Sequence, residues 1–191
     1  MQTERQKEII QVSLDLISEK GIQGLTIKNI ASKIGTSEQA IYRHYENKIH
    51  ILLSILDSFR DFSQFAFKEE LSKEIDSVDK ISNIFNKHFS EFTTNPSLVS
   101  VIFSEGIFAN EELLIAKISG IMTENQEIMQ NIIIQGQLNN EIRSDIDPQT
   151  LSTIIMGSLR LFVKKWQFSK HSFDLIKEGE SLINSIKTII K

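Results

Sequence analysis

Apolar residues recur along this chain every three or four positions, and nowhere do they sustain a strict alternation. Ile10, Leu14 and Ile17 stand at i, i+4 and i+7. Ile81, Phe85, Phe89 and Phe92, with His88 among them, repeat the step, as do Leu151, Ile155, Leu159, Phe162 and Trp166. Such spacing draws one stripe along a helix and would scatter over both faces of a strand. The 32 isoleucines lean locally towards strand, but their spacing overrules that preference. Two prolines and eight glycines in 191 residues are too few breaks for a many-stranded β protein. The fold class is therefore all-α, with about nine helices.

Capping signals agree with the stripes. Thr3 with Gln6 reads as a capping box that opens the first helix, and Gly21 and Gly24 close it. Asn95-Pro96 and Asp147-Pro148 each place Pro at a first helical position behind an N-cap. Asn110, followed by Glu111 and Glu112, is a further start. Residues 136–147 form a polar break between two long helices, and Ser172 and Asp174 open the last one.

Composition narrows the class. With 40% hydrophobic and 24% charged residues, the chain is globular rather than disordered. The absence of Cys excludes disulfides, thiolate metal sites and cysteine nucleophiles. Apolar runs such as Ile132 to Ile134 are far short of a membrane span, and the opening MQTERQKEII has no apolar signal core. A cytoplasmic protein with no membrane partner is expected. Of the formal charge of −4, residues 1–50 carry +1 and the remainder −5, and all twelve Phe lie at Phe59 or later. A compact Ile/Leu-cored module thus precedes a larger aromatic-rich helical body.

Function is most legible between Thr26 and Lys48, TIKNIASKIGTSEQAIYRHYENK. A short helix from Ile27 ends at Gly35, which suits a left-handed turn, and Ser37 caps another that runs through Tyr45. Two short helices joined by such a turn form a helix-turn-helix. On the second helix Ile41 and Tyr45 point back towards Ile30, Ala31 and Ile34. The opposite face presents Gln39 and Arg43, flanked by Ala40 and Tyr42, with His44 on the edge. Gln and Arg make the bidentate contacts that read adenine and guanine edges in the major groove. Tyr42, Lys28 and Lys48 are placed to meet phosphate, which sets register without reading sequence. Glu38, in the first turn, is read as an acid stabilising the helix dipole.

At these residues the chain resembles the TetR/AcrR family of transcriptional regulators. The shared pattern is Thr26, Ile30-Ala31, Gly35, Ser37, Ile41-Tyr42, His44-Tyr45 and Lys48. Thr36 stands where Val is usual, Ile34 where a small residue is usual, Gln39 where Gly is frequent, and Glu38 where basic residues are common. The resemblance implies a helix-turn-helix DNA-binding domain over residues 1–47, with Thr26 and Ser37 joining the contact surface. It also implies an effector-binding and dimerisation domain over residues 48–191.

Phe62, Phe65, Phe85, Phe89, Phe92, Phe103, Phe108, Met122 and Met129 can simply fill a helical core. The resemblance gives them a second role, the lining of a pocket for a small hydrophobic effector. His88, Ser104, Glu105 and Asn125 are the polar candidates there. The last two helices carry apolar arcs too wide for one core face. Leu151, Ile155, Ser158, Phe162, Trp166, Leu182, Ile186 and Ile190 are assigned to a homodimer interface, the four-helix pairing that the resemblance implies. His44 and His50 stand six apart, His88 and His171 are isolated, and Glu105 and Glu112 straddle a helix break. No metal, cofactor or catalytic constellation can be assembled. The expected protein is a homodimeric repressor, released from palindromic double-stranded DNA by its effector. A constitutive DNA-binding dimer and a helical-bundle carrier or enzyme are the alternatives.

Overall fold

The structure, a computed structural model, describes residues 2–104 and 111–191. Nine α-helices and no strand occur among the described residues. They are α1 Glu4–Lys20, α2 Ile27–Ile34, α3 Glu38–Tyr42, α4 Lys48–Leu71, α5 Ser77–Thr94, α6 Pro96–Ile102, α7 Glu112–Leu138, α8 Pro148–Phe168 and α9 Leu175–Ile190. A 3₁₀ turn, Ile22–Gly24, separates α1 from α2.

Local chemistry sets most boundaries. The Thr3–Gln6 capping box is complete: the Gln6 N–H donates to Thr3 Oγ1 at 3.2 Å and the Thr3 N–H to Gln6 Oε1 at 2.9 Å. Asp147 accepts from the Thr150 N–H at 2.9 Å, and Asp174 from the Ile176 and Lys177 N–H groups at 3.0 Å. Pro96 opens α6 as expected, although the Asn95 side chain does not cap it. The start assigned to Asn110 lies outside the described residues. The polar break expected from residue 136 begins later, because α7 runs through Gly136 to Leu138. Packing explains that glycine. A Cβ there would stand 2.7 Å from Ile142 Cδ1 and 2.9 Å from Ser77 Cβ.

Two compact units form. One comprises Met1–Arg60 and Asn95–Ser119, the other Asp61–Thr94 and Gly120–Lys191. The boundary expected at residues 47 and 48 falls inside the first unit, and α4 and α7 each contribute to both. In the first unit α1 packs on α2 and α6, with Ile9, Leu16, Leu25, Ile30 and Ile41 buried. In the second, α9 packs on α5 and α8, and Phe67, Phe85 and Phe89 are fully buried. Among the described residues no helix is long and apolar enough to cross a membrane.

Candidate nucleic-acid interface and effector site

The first unit presents α3 on a fixed support. Ile30 and Ala31 of α2 are buried with Ile41 and Tyr45, and the two helices pack together. Gly35 turns the chain between them at φ 77°, ψ 37°, a left-handed conformation that a side chain would strain. Thr26 Oγ1 accepts from the Asn29 N–H at 3.1 Å, and Ser37 Oγ from the Ala40 N–H at 3.2 Å. Capping uses an oxygen lone pair, so each hydroxyl keeps its hydrogen to donate to an outside acceptor.

Gln39, Tyr42 and Arg43 are exposed, and Ala40 and His44 are half-buried beside them. Lys28 and Lys48 are exposed too, and neither they nor Arg43 form an ion pair with a described residue. Lys33 differs: it donates to Glu19 at 2.5 Å, a bond that holds the Glu19 carboxyl below its usual range. The second helix of the motif is shorter than expected. It ends at Tyr42, with Arg43 as C-cap and the His44 and Tyr45 N–H groups both donating to the Ile41 carbonyl. The chain then turns inward to bury Tyr45, and Asn47 caps α4 by accepting from the Ile49 N–H at 2.8 Å.

The second unit holds a polar cluster inside its apolar interior. Ser63 on α4, His88 on α5 and Asn125 on α7 are all buried. The Ser63 hydroxyl lies 3.2 Å from His88 Nε2 and 3.1 Å from Asn125 Oδ1. His88 Nδ1 donates to the Ile84 carbonyl at 2.8 Å. Phe62, Phe67 and Phe92 surround the imidazole at centroid distances of 5.6, 6.0 and 6.1 Å. Burial pushes the imidazole pKa down and the Ile84 carbonyl pulls only partly the other way, so the ring is neutral at pH 7. Phe85, Phe89 and Met129 are buried in the same unit.

The other residues expected at the effector site lie apart. Phe65 and Met122 are 66% and 50% exposed, so their inclusion in a pocket lining is corrected. Phe103 and Ser104 belong to the first unit, where Phe103 is buried; Glu105 and Phe108 lie outside the described residues. Sequence reading missed Ser63 and Phe67. Both lie on the buried side of α4 with Phe59 and Ala66, and a serine inside that stripe was the available signal. The groove between α5 and α9, lined by Ile81, Phe85, Ile183 and Ile186 among others, encloses no room for an effector.

The dimer assignment needs correction as well. Leu151, Ile155, Trp166, Ile186 and Ile190 are buried by their own unit and offer a partner no area. Phe162, half-buried, packs on Phe89 and Phe173 at 5.7 and 5.6 Å, and Ser158 and Leu182 are also half-buried. The outward stripe of α8 is instead Ile154, Leu161 and Phe168, spaced by seven, with Leu161 71% and Phe168 75% exposed. Ile176 and Ile189 are exposed on α9.

A family profile described as bacterial regulatory proteins, tetR family, matches residues 9–55, and one described as YsiA-like protein, C-terminal region, matches residues 61–188. The fatty acid metabolism regulator protein of Bacillus subtilis is 26% identical over 178 residues, covering 92% of this chain and 90% of that protein. A solved structure of the fatty acid degradation regulator FadR from Bacillus halodurans superposes with a TM-score of 0.83 at 18% identity, covering 99% of this chain and 95% of that one. The regulator FadR from Bacillus subtilis, solved in complex with stearoyl-CoA, gives 0.79 at 23% identity, with 96% of each chain covered.

Proposed function

Because the chain belongs to the tetR family of bacterial regulatory proteins, which bind DNA to control transcription, we propose that it is a cytoplasmic repressor: a two-fold dimer that grips a palindromic operator and lets go when a small apolar effector enters its C-terminal unit. The outward face of α3 carries this reading. Gln39 and Arg43 stand exposed on a buried Ile41–Tyr45 base, with Lys28 and Lys48, which pair with no described residue, exposed in the same unit. Side chains that read base edges are thus held on a rigid support, with phosphate partners available to set register. Two such helices about 34 Å apart need a palindromic site, and the Ile154–Leu161–Phe168 stripe is the apolar face that a second copy covers.

The switch runs along α4, which begins at Lys48 directly after the helix-turn-helix and carries Ser63 of the interior cluster. An effector that moves this helix changes the separation of the two recognition helices. The relative named for fatty acid metabolism and the neighbour solved with stearoyl-CoA direct the first trials to long-chain acyl compounds. The test selects duplexes from a random pool and measures their binding by fluorescence anisotropy, with and without stearoyl-CoA. The expected result is a palindromic site bound at least about 10³ times more tightly than random duplex, with affinity lost on adding the ligand. Equal affinity for random duplex would overturn the operator reading.

A further inference from the structure

The outward face of α3 carries a charge of the wrong sign for DNA. At about 100° per residue, Ile41 points inward and Ala40 borders it, while Glu38, Gln39, Tyr42 and Arg43 share the opposite arc. Arg43 keeps helical angles as C-cap, φ −68° and ψ −21°, so the arc holds two rows. Glu38 aligns with Tyr42 one turn on, and Gln39 with Arg43. All four side chains are exposed. A carboxylate there opposes the polyanion that Lys28 and Lys48 attract, and it weakens every complex that it does not specifically improve.

Glu38 also differs from the acids around it. Every other carboxylate in residues 1–60 has a side-chain nitrogen within 3.6 Å, from Glu4 with Lys7 to Asp57 with Arg60. Glu38 bonds to no described residue. The dipole role expected for it is weak, because α3 ends at Tyr42 and sums only 5 residues. Ser37 already caps that end by accepting from the Ala40 N–H.

We infer that Glu38 is a specificity-determining residue, whose carboxylate accepts from the N4 amino group of a cytosine in the major groove at one base pair of each half-site. The base follows from the edges on offer. Guanine presents O6 and N7 and thymine presents O4, all acceptors that a carboxylate repels. Adenine sets an amino donor beside the N7 acceptor, so one carboxylate oxygen is satisfied and the other opposed. Cytosine presents a donor with no acceptor beside it. Gln39 and Arg43, in the neighbouring row, supply the bidentate pairings for adenine and guanine, so the two rows read different edges. The inference rests on the proposal that this face contacts an operator.

The test puts the full chain, Glu38→Ala and Glu38→Gln each through selection from a random duplex pool. Binding to point variants of the wild-type site is then measured by anisotropy. Wild type should require cytosine at one position per half-site, with thymine or guanine there costing about tenfold or more. Glu38→Ala should lose the preference at that position alone and bind random duplex about two- to fivefold more tightly. Glu38→Gln should move the preference towards adenine, whose N6 and N7 an amide pairs with. Both variants should melt with wild type, since the side chain is exposed and unbonded. An unchanged site in both variants would overturn the inference and leave the operator proposal standing. A uniform loss at every position with a lowered melting temperature, the mark of a helix-stabilising acid, would also overturn it. A wild type that selects no site would remove the operator proposal itself, and this inference with it.

Discussion

Replacing Glu70 by Gln should destabilise the second unit by an amount that shrinks as the solution is acidified. The Glu70 side chain on α4 is fully covered, and it accepts from Lys73 Nζ at 2.6 Å and Asn83 Nδ2 at 2.9 Å. Lys87 Nζ forms an ion pair with it at 2.6 Å. Burial pushes the carboxyl up, but the bonds from Lys73, Lys87 and Asn83 together outweigh it and bring the pKa to about 2, from 4.5. That depression alone would convert to about 3.4 kcal/mol at 1.36 kcal/mol per unit. Lys73 is 37% exposed, so solvent screens it, while the Lys87 ammonium is covered and costs desolvation; about 1–3 kcal/mol is the expected contribution. Because the folded pKa lies below the unfolded one, this stability is present above about pH 4.5 and is lost as pH falls towards 2. By pH 3.5 roughly two-fifths of it should be gone. Urea unfolding of wild type and Glu70→Gln between pH 7 and 3.5 measures the gap. A gap that stays constant over that range, or its absence at pH 7, would refute the reasoning.

Arg43→Ala should relax discrimination at one base position per half-site, while Lys48→Ala should weaken all duplexes alike and lower the salt slope by about 1 per site, both read by anisotropy against variant operators. Unchanged discrimination in Arg43→Ala would reject the reading face. Leu161→Glu, on the outward stripe, should yield a folded monomer by sedimentation, whereas Leu151→Glu should unfold because that side chain is fully buried. A Leu161→Glu dimer as tight as wild type would move the interface elsewhere. Gly136→Ala should cost about 1–3 kcal/mol from crowding against Ile142 and Ser77, less up to about 1 kcal/mol of gained helix propensity; a rise in thermal midpoint would contradict the crowding. Tyr45→Phe should leave stability unchanged or raise it by about 1 kcal/mol in thermal melts, because the buried hydroxyl has Ser54 near it but no hydrogen bond of ordinary length.

The reading module was legible because its signals are local. Thr26, Gly35 and Ser37 act on backbone groups within a few residues of themselves, and the Ile30, Ala31, Ile41 and Tyr45 pattern leaves α3 a single face to bury. Period and caps therefore sufficed for the helix-turn-helix and for the number of helices. They could not stop α3 at Tyr42, since burial of Tyr45 turns the chain there. On α8 the sequence offers apolar residues all round, and a stripe holds no information about which side meets its neighbours. Packing against α9 and the Phe89 ring drew Leu151, Ile155 and Trp166 inward and left Ile154, Leu161 and Phe168 outside. The polar cluster was least legible, because its members are 25 and 62 residues apart and no periodicity links them. His88 and Asn125 stood out as polar residues in apolar surroundings. That they meet through Ser63 follows only from three helices converging on one hydroxyl.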